Sequence, residues 1–462
     1  MTWSERLSNL DATFLYLEDR TAHMHVGAVA IFEGPSPSYA DMVDRIASRL
    51  ERVPRYRQRL AFVPFGVGRP VWVDESNLDL EYHVRHTALP APGDEAQLKR
   101  LAGRLFAQRL DRGKPLWELW LIDGLAGNRF AILSKTHHCM IDGVSGVDLA
   151  TVLLDPDADV PAERPAPWTP RPAPSRVELV ADAFRDQVLH PLDVAREALE
   201  PTTEGRNLLL ELLGGVKPLL GMAQMGPAPE SSLNRPISPH RRWEMLTLDL
   251  AEVKRVRAAL GGTVNDVILA VVAGALRELF AARDEAPKDL RVMVPVSVRG
   301  EDGRGKLGNQ VTAIFCQLPV AEPDPAQRLR RVSAEMRGLK ESRQAVGALA
   351  LSRLGDFAPP TLIAQASRLE MMTRFLNLVV TNVPGPQFSL YLLGKKLLGC
   401  YPCVPLAAHQ TLGIALLSYD GKIGIGLLGD AEHMRDLPLL AAALPRALAD
   451  LTSDASARAP QQ

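Results

Sequence analysis

The sequence has few cysteines, which limits the kinds of site that it can build. Four thiols among 462 residues cannot form the dense disulfide framework of a small secreted domain. Cys400 and Cys403 have the C-x-x-C spacing, but no second pair of Cys or His ligands stands near them in sequence to complete a tetrahedral zinc site. A thioredoxin-like motif would lead into a helix, whereas Pro405 and chain without helical periodicity follow here. We interpret the pair as two ordinary thiols in a reduced cytoplasm.

Long hydrophobic runs are also missing. The longest clean apolar run, Val267–Leu276, is about half of the roughly 20 residues that a membrane-spanning helix needs. The first six residues, MTWSER, lack a basic stretch followed by an apolar run, so the pattern does not predict a secretory signal. We therefore expect a cytoplasmic protein, with peripheral contact to the inner membrane face or to lipid droplets left open.

Charge of either sign is not in excess. The 53 Lys and Arg residues nearly balance the 54 Asp and Glu residues, and the net charge is -1. Because no dense basic block stands out either, the sequence does not predict a nucleic-acid partner. Hydrophobic residues at 46% and charged residues at 23% are typical of a globular protein, and the length exceeds one ordinary core. We expect two domains.

The clearest break in composition is the proline-rich stretch at residues 155–175. Such a density of proline is incompatible with a helix or a central strand, so it predicts an extended linker. Its prolines are Pro156, Pro161, Pro165, Pro167, Pro170, Pro172 and Pro174. We predict an N-terminal domain at residues 1–154, this linker with connecting helices at 155–242, and a C-terminal domain at 243–462.

Hydrophobic periodicity predicts both helices and strands in each half of the chain, which favours an α/β fold, an α+β sandwich, over a helical bundle or an all-β fold. The predicted helices are Tyr39–Arg52, Val177–Leu199, the leucine-rich Arg206–Met225, Val264–Ala282, Ala326–Leu339 and Leu437–Leu451. The predicted strands are Met24–Phe32, Phe130–Lys135, Trp243–Leu248, Arg291–Val296, Val311–Leu318, Leu378–Thr381, Leu412–Ser418 and Lys422–Leu427.

One segment, SKTHHCMIDGVSG at residues 134–146, carries the most chemistry. An apolar strand pattern ends there in two adjacent histidines, and adjacent side chains on an extended segment point to opposite faces. Only one of His137 and His138 can therefore face a given cavity. A histidine suits proton transfer because its unperturbed pKa is about 6.5. Asp142 lies close enough to approach the imidazole or to order the loop through an arginine, and Gly143 suits a turn or a close approach of substrate.

Two other interpretations of the same residues stay open on spacing alone. Two histidines and an aspartate are plausible metal ligands, although adjacent histidines rarely bind one ion together and no third histidine is close. Two histidines at the end of a strand can also be a purely structural cluster.

The segment resembles the HHxxxDG signature of the CoA-dependent acyltransferase superfamily, which also includes nonribosomal-peptide condensation domains. Within it, the chain most resembles the bacterial wax ester synthase/acyl-CoA:diacylglycerol acyltransferases. Further matching elements follow in the same order over nearly the whole chain. They are LDATFL at 10–15, HMHVG at 23–27, PLW at 115–117, ND at 265–266, PVSVR at 295–299, GN at 308–309 and NVPGP at 382–386.

The resemblance implies roles for the signature residues and an architecture around them. It makes His138 the catalytic base, Asp142 a mainly structural carboxylate, and His137 and Gly143 parts of the same catalytic segment. It implies two similar domains that meet at a central channel, with acyl-CoA entering from one side and the alcohol from the other. Acyl-CoA is then a substrate, and neither a metal nor another cofactor is implied.

Each auxiliary motif also has a plainer interpretation. Thr263-Val264-Asn265-Asp266 has the form of a helix capping box, so Asp266 fits a helix cap better than a proton carrier. The amide of Asn265 could instead stabilise an oxyanion. Pro115, Leu116 and Trp117 fit packing that positions the strand before the histidines. Arg299 is a candidate partner of Asp142 or a solvated surface residue.

The implied reaction is attack of a hydroxyl on a thioester, with diacylglycerol or a long-chain alcohol as acceptor and triacylglycerol or wax ester as product. Two alternatives stay open. A carrier-protein-dependent transferase would keep the histidine, although no carrier domain is recognisable in the sequence. A non-enzymatic lipid-binding protein would keep the channel without using His138. The acyl-chain length, the main acceptor and the oligomeric state do not follow from the sequence.

Overall fold

The computed structural model describes residues 5–140, 153–186 except 162, 164 and 166, 226–297, 311–341 and 375–458. Two six-stranded sheets organise these residues. The strands are β1 His25–Glu33, β2 Gln58–Ala61, β3 Val71–Asp74, β4 Val84–Ala88, β5 Trp117–Leu125, β6 Arg129–His137, β7 Arg241–Asp249, β8 Leu290–Ser297, β9 Val311–Leu318, β10 Leu378–Pro384, β11 Tyr391–Leu392, β12 Lys395–Cys403, β13 Leu412–Tyr419 and β14 Lys422–Asp430. The labelled helices are α1 Asn9–Leu17, α2 Tyr39–Arg49, α3 Leu80–His83, α4 Glu95–Phe106, α5 Leu250–Leu260, α6 Val264–Ala282, α7 Pro325–Glu341 and α8 Leu437–Arg458.

The first sheet has the strand order β11-β12-β1-β6-β5-β4, with β4 and β5 parallel and the other neighbours antiparallel. Alternate side chains of its central strands enter two different cores, which is why the strand sequences are apolar on both faces. Helix α4 covers one face with Leu98, Ala102 and Leu105. Helix α2 contributes Met42 and Ile46 to the other face.

The second sheet has the order β7-β14-β13-β10-β8-β9, in which β10 is parallel to both of its neighbours. Helices α5 to α8 and this sheet share one large core. Helix α6 is apolar on nearly all sides and is correspondingly buried. The mixture of helices and sheets in two domains, predicted from the sequence, is thus confirmed.

The hairpin β11–β12 comes from the second half of the chain but completes the first sheet beside β1. Strand β12 also lies directly against β14. A side chain on Gly424 or Gly426 would overlap the backbone carbonyl oxygens of Cys400 and Pro402. The two glycines therefore permit the close backbone approach that joins the sheets.

The described residues of the proline-rich stretch are held on the first half of the chain by ion pairs. Its described residues carry no helix or strand, apart from a single bridge between Asp155 and Tyr391. The buried carboxylate of Asp155 binds Arg45 and, at 2.6 Å, Arg49. Glu163 pairs with Arg49 at 3.0 Å. Further along, a helical segment at 176–186 overlaps the predicted helix Val177–Leu199. Residues 187–199 and the predicted helix Arg206–Met225 lie outside the described residues.

Two earlier expectations concern membrane spans and thiols. In the described part of the chain no single helix is long and apolar enough to cross a bilayer. Helices α5 and α6 together reach the length, but they meet at a bend of 100°.

Cys400 and Cys403 are both free and lie on strand β12. Burial raises the pKa of the Cys400 thiol to about 12 and that of the Cys403 thiol further still, so neither is a reactive thiolate at neutral pH. Both observations fit the interpretation as ordinary thiols.

Candidate active site

Strand β6 ends at His137, and His138 begins a short 3-10 turn that runs to Met140. The backbone at this point is tied to the chain on both sides. The N–H of His137 donates to the carbonyl of Leu116 at 2.9 Å, and the N–H of His138 donates to the carbonyl of Met24 at 2.8 Å. The two histidines are therefore held at the C-terminal end of the central strand β6 by the residues that immediately precede β5 and β1.

The two imidazole rings have different surroundings. His137 has no exposed surface, and its Nδ1 accepts a hydrogen bond from the N–H of Cys139 at 3.1 Å. Because Nδ1 accepts, the proton of the neutral ring is assigned to Nε2. His138 keeps some exposed surface, and its ring stacks on Phe14 with 3.8 Å between the centroids and 18° between the planes. The Nδ1 of His138 is buried and makes no hydrogen bond to another described residue.

The surroundings of His138 favour its neutral form. Burial of the ring lowers the pKa of His138 to about 4. A contact with its own backbone raises the pKa, and the neighbouring His137 lowers it further. Burial also lowers the pKa of His137. At neutral pH, His138 is therefore an unprotonated imidazole that can accept a proton.

A buried carboxylate, Glu18, stands behind His137. Its Oε2 lies 3.5 Å from Nε2 of His137, and its Oε1 lies 3.5 Å from Nε2 of His25. Arg112 pairs with the same carboxylate at 2.9 Å through Nε. Burial alone would raise the pKa of Glu18, but the neighbouring rings of His137 and His25 and the charge of Arg112 lower it well below the usual range. Glu18 is thus an anion at the back of the histidine pair.

Neither Glu18 nor Phe14 was predicted as a site residue. Both belong to the segment around helix α1, whose N-cap is Ser8. In the sequence, the element LDATFL of this segment indicates only a resemblance to the family. The available signal was an acidic residue directly after an apolar helix, followed by His23 and His25 at the start of a strand. The partnership of Glu18 with His137 spans 119 positions (137 - 18), and nothing in the local pattern indicates it.

The element at 115–117 has the packing role predicted for it. Leu116 and Trp117 are fully buried, and Trp117 pairs with Thr136 of β6. The indole Nε1–H donates to the carbonyl of Tyr56 at 2.9 Å, while the ring stacks on His83 with 4.6 Å between the centroids. Pro115 is buried beside them. These contacts hold the strand that binds the backbone of His137.

The capping box at the start of α6 is confirmed. The Asp266 carboxylate accepts from the N–H of Thr263 at 2.9 Å, and the Thr263 hydroxyl accepts from the N–H of Asp266 at 3.2 Å. Asn265 lies beside Asn382 of β10, whose Nδ2 donates to its Oδ1 at 3.2 Å. Two elements that are distant in sequence, ND and NVPGP, therefore meet in the second half of the chain.

Three predicted site residues, Asp142, Gly143 and Arg299, lie outside the described residues. Within the described ranges, no group of three His, Cys, Asp or Glu side chains has an arrangement that could hold a metal ion.

A polar cleft of about 470 Å³ lies on the described surface. It is lined by Arg109 and Arg112 together with Tyr82, Arg85 and Glu118. An acyl chain needs an apolar lining, so this cleft does not correspond to the predicted channel.

Comparison with known proteins identifies the family of the chain. Residues 7–268 match the wax ester synthase/diacylglycerol acyltransferase catalytic domain, and residues 307–452 match the C-terminal domain of the same family. A probable diacylglycerol O-acyltransferase of Mycobacterium tuberculosis is 36% identical over 453 residues, covering 97% of this chain and 96% of the relative. A second one from that organism is 36% identical over 454 residues, covering 96% and 97%.

Solved structures give the same family and the wider fold. The wax ester synthase/diacylglycerol acyltransferase of Marinobacter aquaeolei VT8 is 28% identical, with a TM-score of 0.72 over 98% of this chain and 100% of that one. The first condensation domain of the CDA synthetase, 19% identical, shares the fold with a TM-score of 0.59 over 100% and 98%. The chain therefore belongs to the wax ester synthase/diacylglycerol acyltransferase family and is an acyltransferase.

Proposed function

We propose that the chain moves a long-chain acyl group from acyl-CoA to the hydroxyl of diacylglycerol, giving triacylglycerol, with His138 as the general base. Fatty alcohols are a second acceptor class and would give wax esters. The observation that carries the proposal is the pairing of a neutral, partly exposed His138 with a fully buried His137. The names of the relatives from M. tuberculosis favour diacylglycerol as the main acceptor.

In the proposed reaction, an unprotonated ring nitrogen of His138 takes the hydroxyl proton while the alcohol oxygen forms a bond to the thioester carbonyl carbon. The tetrahedral intermediate then expels the CoA sulfur as the C–S bond breaks, and the imidazolium returns the proton to that thiolate. Positioned base catalysis supplies roughly 10²–10⁴-fold. The amide of Asn265 and backbone N–H groups near Gly143 are our candidates for oxyanion donors. The scheme needs neither an acyl-enzyme nor a cofactor.

The loop after His138 is part of the same proposal. We propose that Asp142 orders this loop as a structural carboxylate and that Arg299 is its partner. His137 has a supporting role, because its ring is enclosed and its contacts are with Glu18 and the backbone of Cys139.

Contact with lipid would be peripheral in this proposal, for a cytoplasmic protein at the membrane face or on lipid droplets. Exposed apolar side chains between β2 and β3 support it. Phe65 is 96% exposed, and Phe62 and Val67 stand near it in the same connection. Such side chains are costly in water and gain free energy on entering the boundary of a lipid layer.

The pH dependence of kcat/KM should report the low pKa of His138. A protonated imidazole cannot accept the hydroxyl proton, so activity is lost as the pH falls through the pKa and is retained above it. With a pKa of about 4, the pH–rate profile should be flat from about pH 5.5 to 8 and fall only near pH 4. Brief exposure to pH 4 followed by assay at pH 7 controls for unfolding. An acid limb near the ordinary histidine pKa of about 6.5 would contradict the buried, neutral base.

The proposed activity is tested by mixing the purified protein with palmitoyl-CoA and liposomes that contain diolein, hexadecanol or neither. We expect CoA release that depends on the acceptor, with triacylglycerol as the main product from diolein, at the same rate in EDTA. Flotation of the protein with the liposomes tests the lipid contact separately. Flotation without CoA release would support a lipid-binding protein instead, and transfer only from acyl groups on a carrier protein would support the condensation-type alternative.

A further inference from the structure

Glu18 is a buried anion with more partners than its burial requires. Its side chain is 1% exposed, and Arg112 already neutralises its charge at 2.9 Å through Nε. A second guanidinium, that of Arg109, lies 3.5 Å from Oε1. Burying a charged group costs several kcal/mol unless it is paired, which explains the arginines. The arginines do not explain why His137 also directs its Nε2 at this carboxylate.

His137 gains a defined proton position from Glu18. An ionised carboxylate only accepts hydrogen bonds, so a ring nitrogen that faces it is favoured in its N–H form. For His137 this places the proton on Nε2, 3.5 Å from Oε2 of Glu18. Its Nδ1 is then free of hydrogen and accepts the N–H of Cys139. In the other tautomer, two N–H groups would point at each other across 3.1 Å, and that hydrogen bond would be lost.

The hydrogen bond from Cys139 lies inside the turn that carries His138. Residues 138–140 form one turn of 3-10 helix, so an N–H fixed at Cys139 also fixes the peptide that follows His138. Helix α1 completes the arrangement from the other side. Phe14 of this helix stacks on His138, while the carbonyl of Leu15 accepts from the Arg112 guanidinium that pairs with Glu18.

We propose that Glu18 is a positioning residue for acyl transfer: it holds His137 in the Nε2–H tautomer and thereby orients the turn that presents His138. The inference rests on the proposed role of His138, but it concerns a different residue and has its own test. Glu18 touches neither substrate in this proposal. Arg112 keeps the carboxylate charged, and His25, whose pKa burial lowers to about 3, stays neutral beside it.

The test is a double-mutant cycle on kcat with Glu18→Gln and His137→Ala. Glutamine has both a donor and an acceptor end, so it no longer dictates the tautomer of His137. Removing the carboxylate partner of a metal-bound histidine typically costs about 10–100-fold, and for this metal-free arrangement we take the lower end, about 10-fold. We expect Glu18→Gln to lower kcat by that factor, with KM for palmitoyl-CoA unchanged within about twofold. If Glu18 acts through His137, adding Glu18→Gln to His137→Ala should change kcat no further.

Three further measurements separate positioning from plain stability. Asp74→Asn is a matched control, because Asp74 is also a buried carboxylate paired with an arginine, Arg171; it should lower Tm without lowering kcat. If Glu18→Gln does not fold, Glu18→Gln with Arg112→Gln restores the charge balance and should still show the low kcat. In ring-¹⁵N histidine spectra, His137 should carry its proton on Nε2 in the unmodified protein and become a mixture of tautomers in the Glu18 variant.

The outcomes are distinct from those for the proposed function. A wild-type kcat in Glu18→Gln, or losses that multiply in the double mutant, would overturn the positioning role even if His138→Ala is inactive. Full activity of His138→Ala would overturn the base assignment, whatever the cycle gives. An unchanged His137 tautomer in Glu18→Gln would also count against the inference.

Discussion

His138→Ala should lower kcat for acyl transfer by on the order of 10²-fold or more, in a protein that still folds and binds acyl-CoA. The expected size is the usual contribution of a positioned general base. Folding should survive because the His138 side chain keeps some exposed surface and its Nδ1 makes no hydrogen bond to another described residue. The variant loses the stack of the imidazole on Phe14. The measurement is steady-state kinetics with palmitoyl-CoA and diolein, alongside the melting temperature.

His137→Ala is the matched control for that experiment. His137 has no exposed surface and accepts the N–H of Cys139. Its removal should therefore lower Tm more than His138→Ala does, while lowering kcat less. Full activity in His138→Ala would sink the base assignment, and a reversed pattern of kcat losses would move that role to His137.

The division between the two histidines was predictable from the sequence, although for a partly different reason. Adjacent residues on a strand face opposite ways, and this argument separates His137 from His138. In the structure only His137 lies on the strand, and His138 already belongs to the turn. The direction of each ring therefore depends on that turn, and through it on Cys139 and Glu18.

Much of the fold was also predictable because the periodic segments are strong. The helix at Val264–Ala282 and the strand at Val311–Leu318 have the predicted bounds. The return of β11 and β12 to the first sheet was not predicted, because pairing of Gly27 with Cys403 joins residues that no local pattern connects. The predicted domain boundaries at residues 154 and 242 do not include this pairing of β11 and β12 with the first sheet, and they stay predictions.

The candidate site was predictable only where a motif names the residue. The pattern gives His137, His138 and the element at 115–117, since each belongs to a contiguous signature. Glu18 approaches His137 only in the folded chain, so its proposed role could not be predicted from the sequence. The catalytic roles predicted for His137, His138, Asp142 and Gly143, and the roles of Asn265 and Arg299, stay predictions.

Trp117→Ala should cause the largest loss of stability among these variants. The side chain is 1% exposed, stacks on His83 and donates to the carbonyl of Tyr56. Emptying such a site costs about 3–5 kcal/mol, which corresponds to a fall in Tm on the order of 10 °C. Turnover measured well below the new Tm should fall only a few-fold, because Trp117 supports the strand and takes no part in the proposed proton transfer. Trp120→Ala, on the same strand but half-buried, is the control and should cost much less. Equal losses of Tm in the two variants would show that the packing of Trp117 is not what holds this strand.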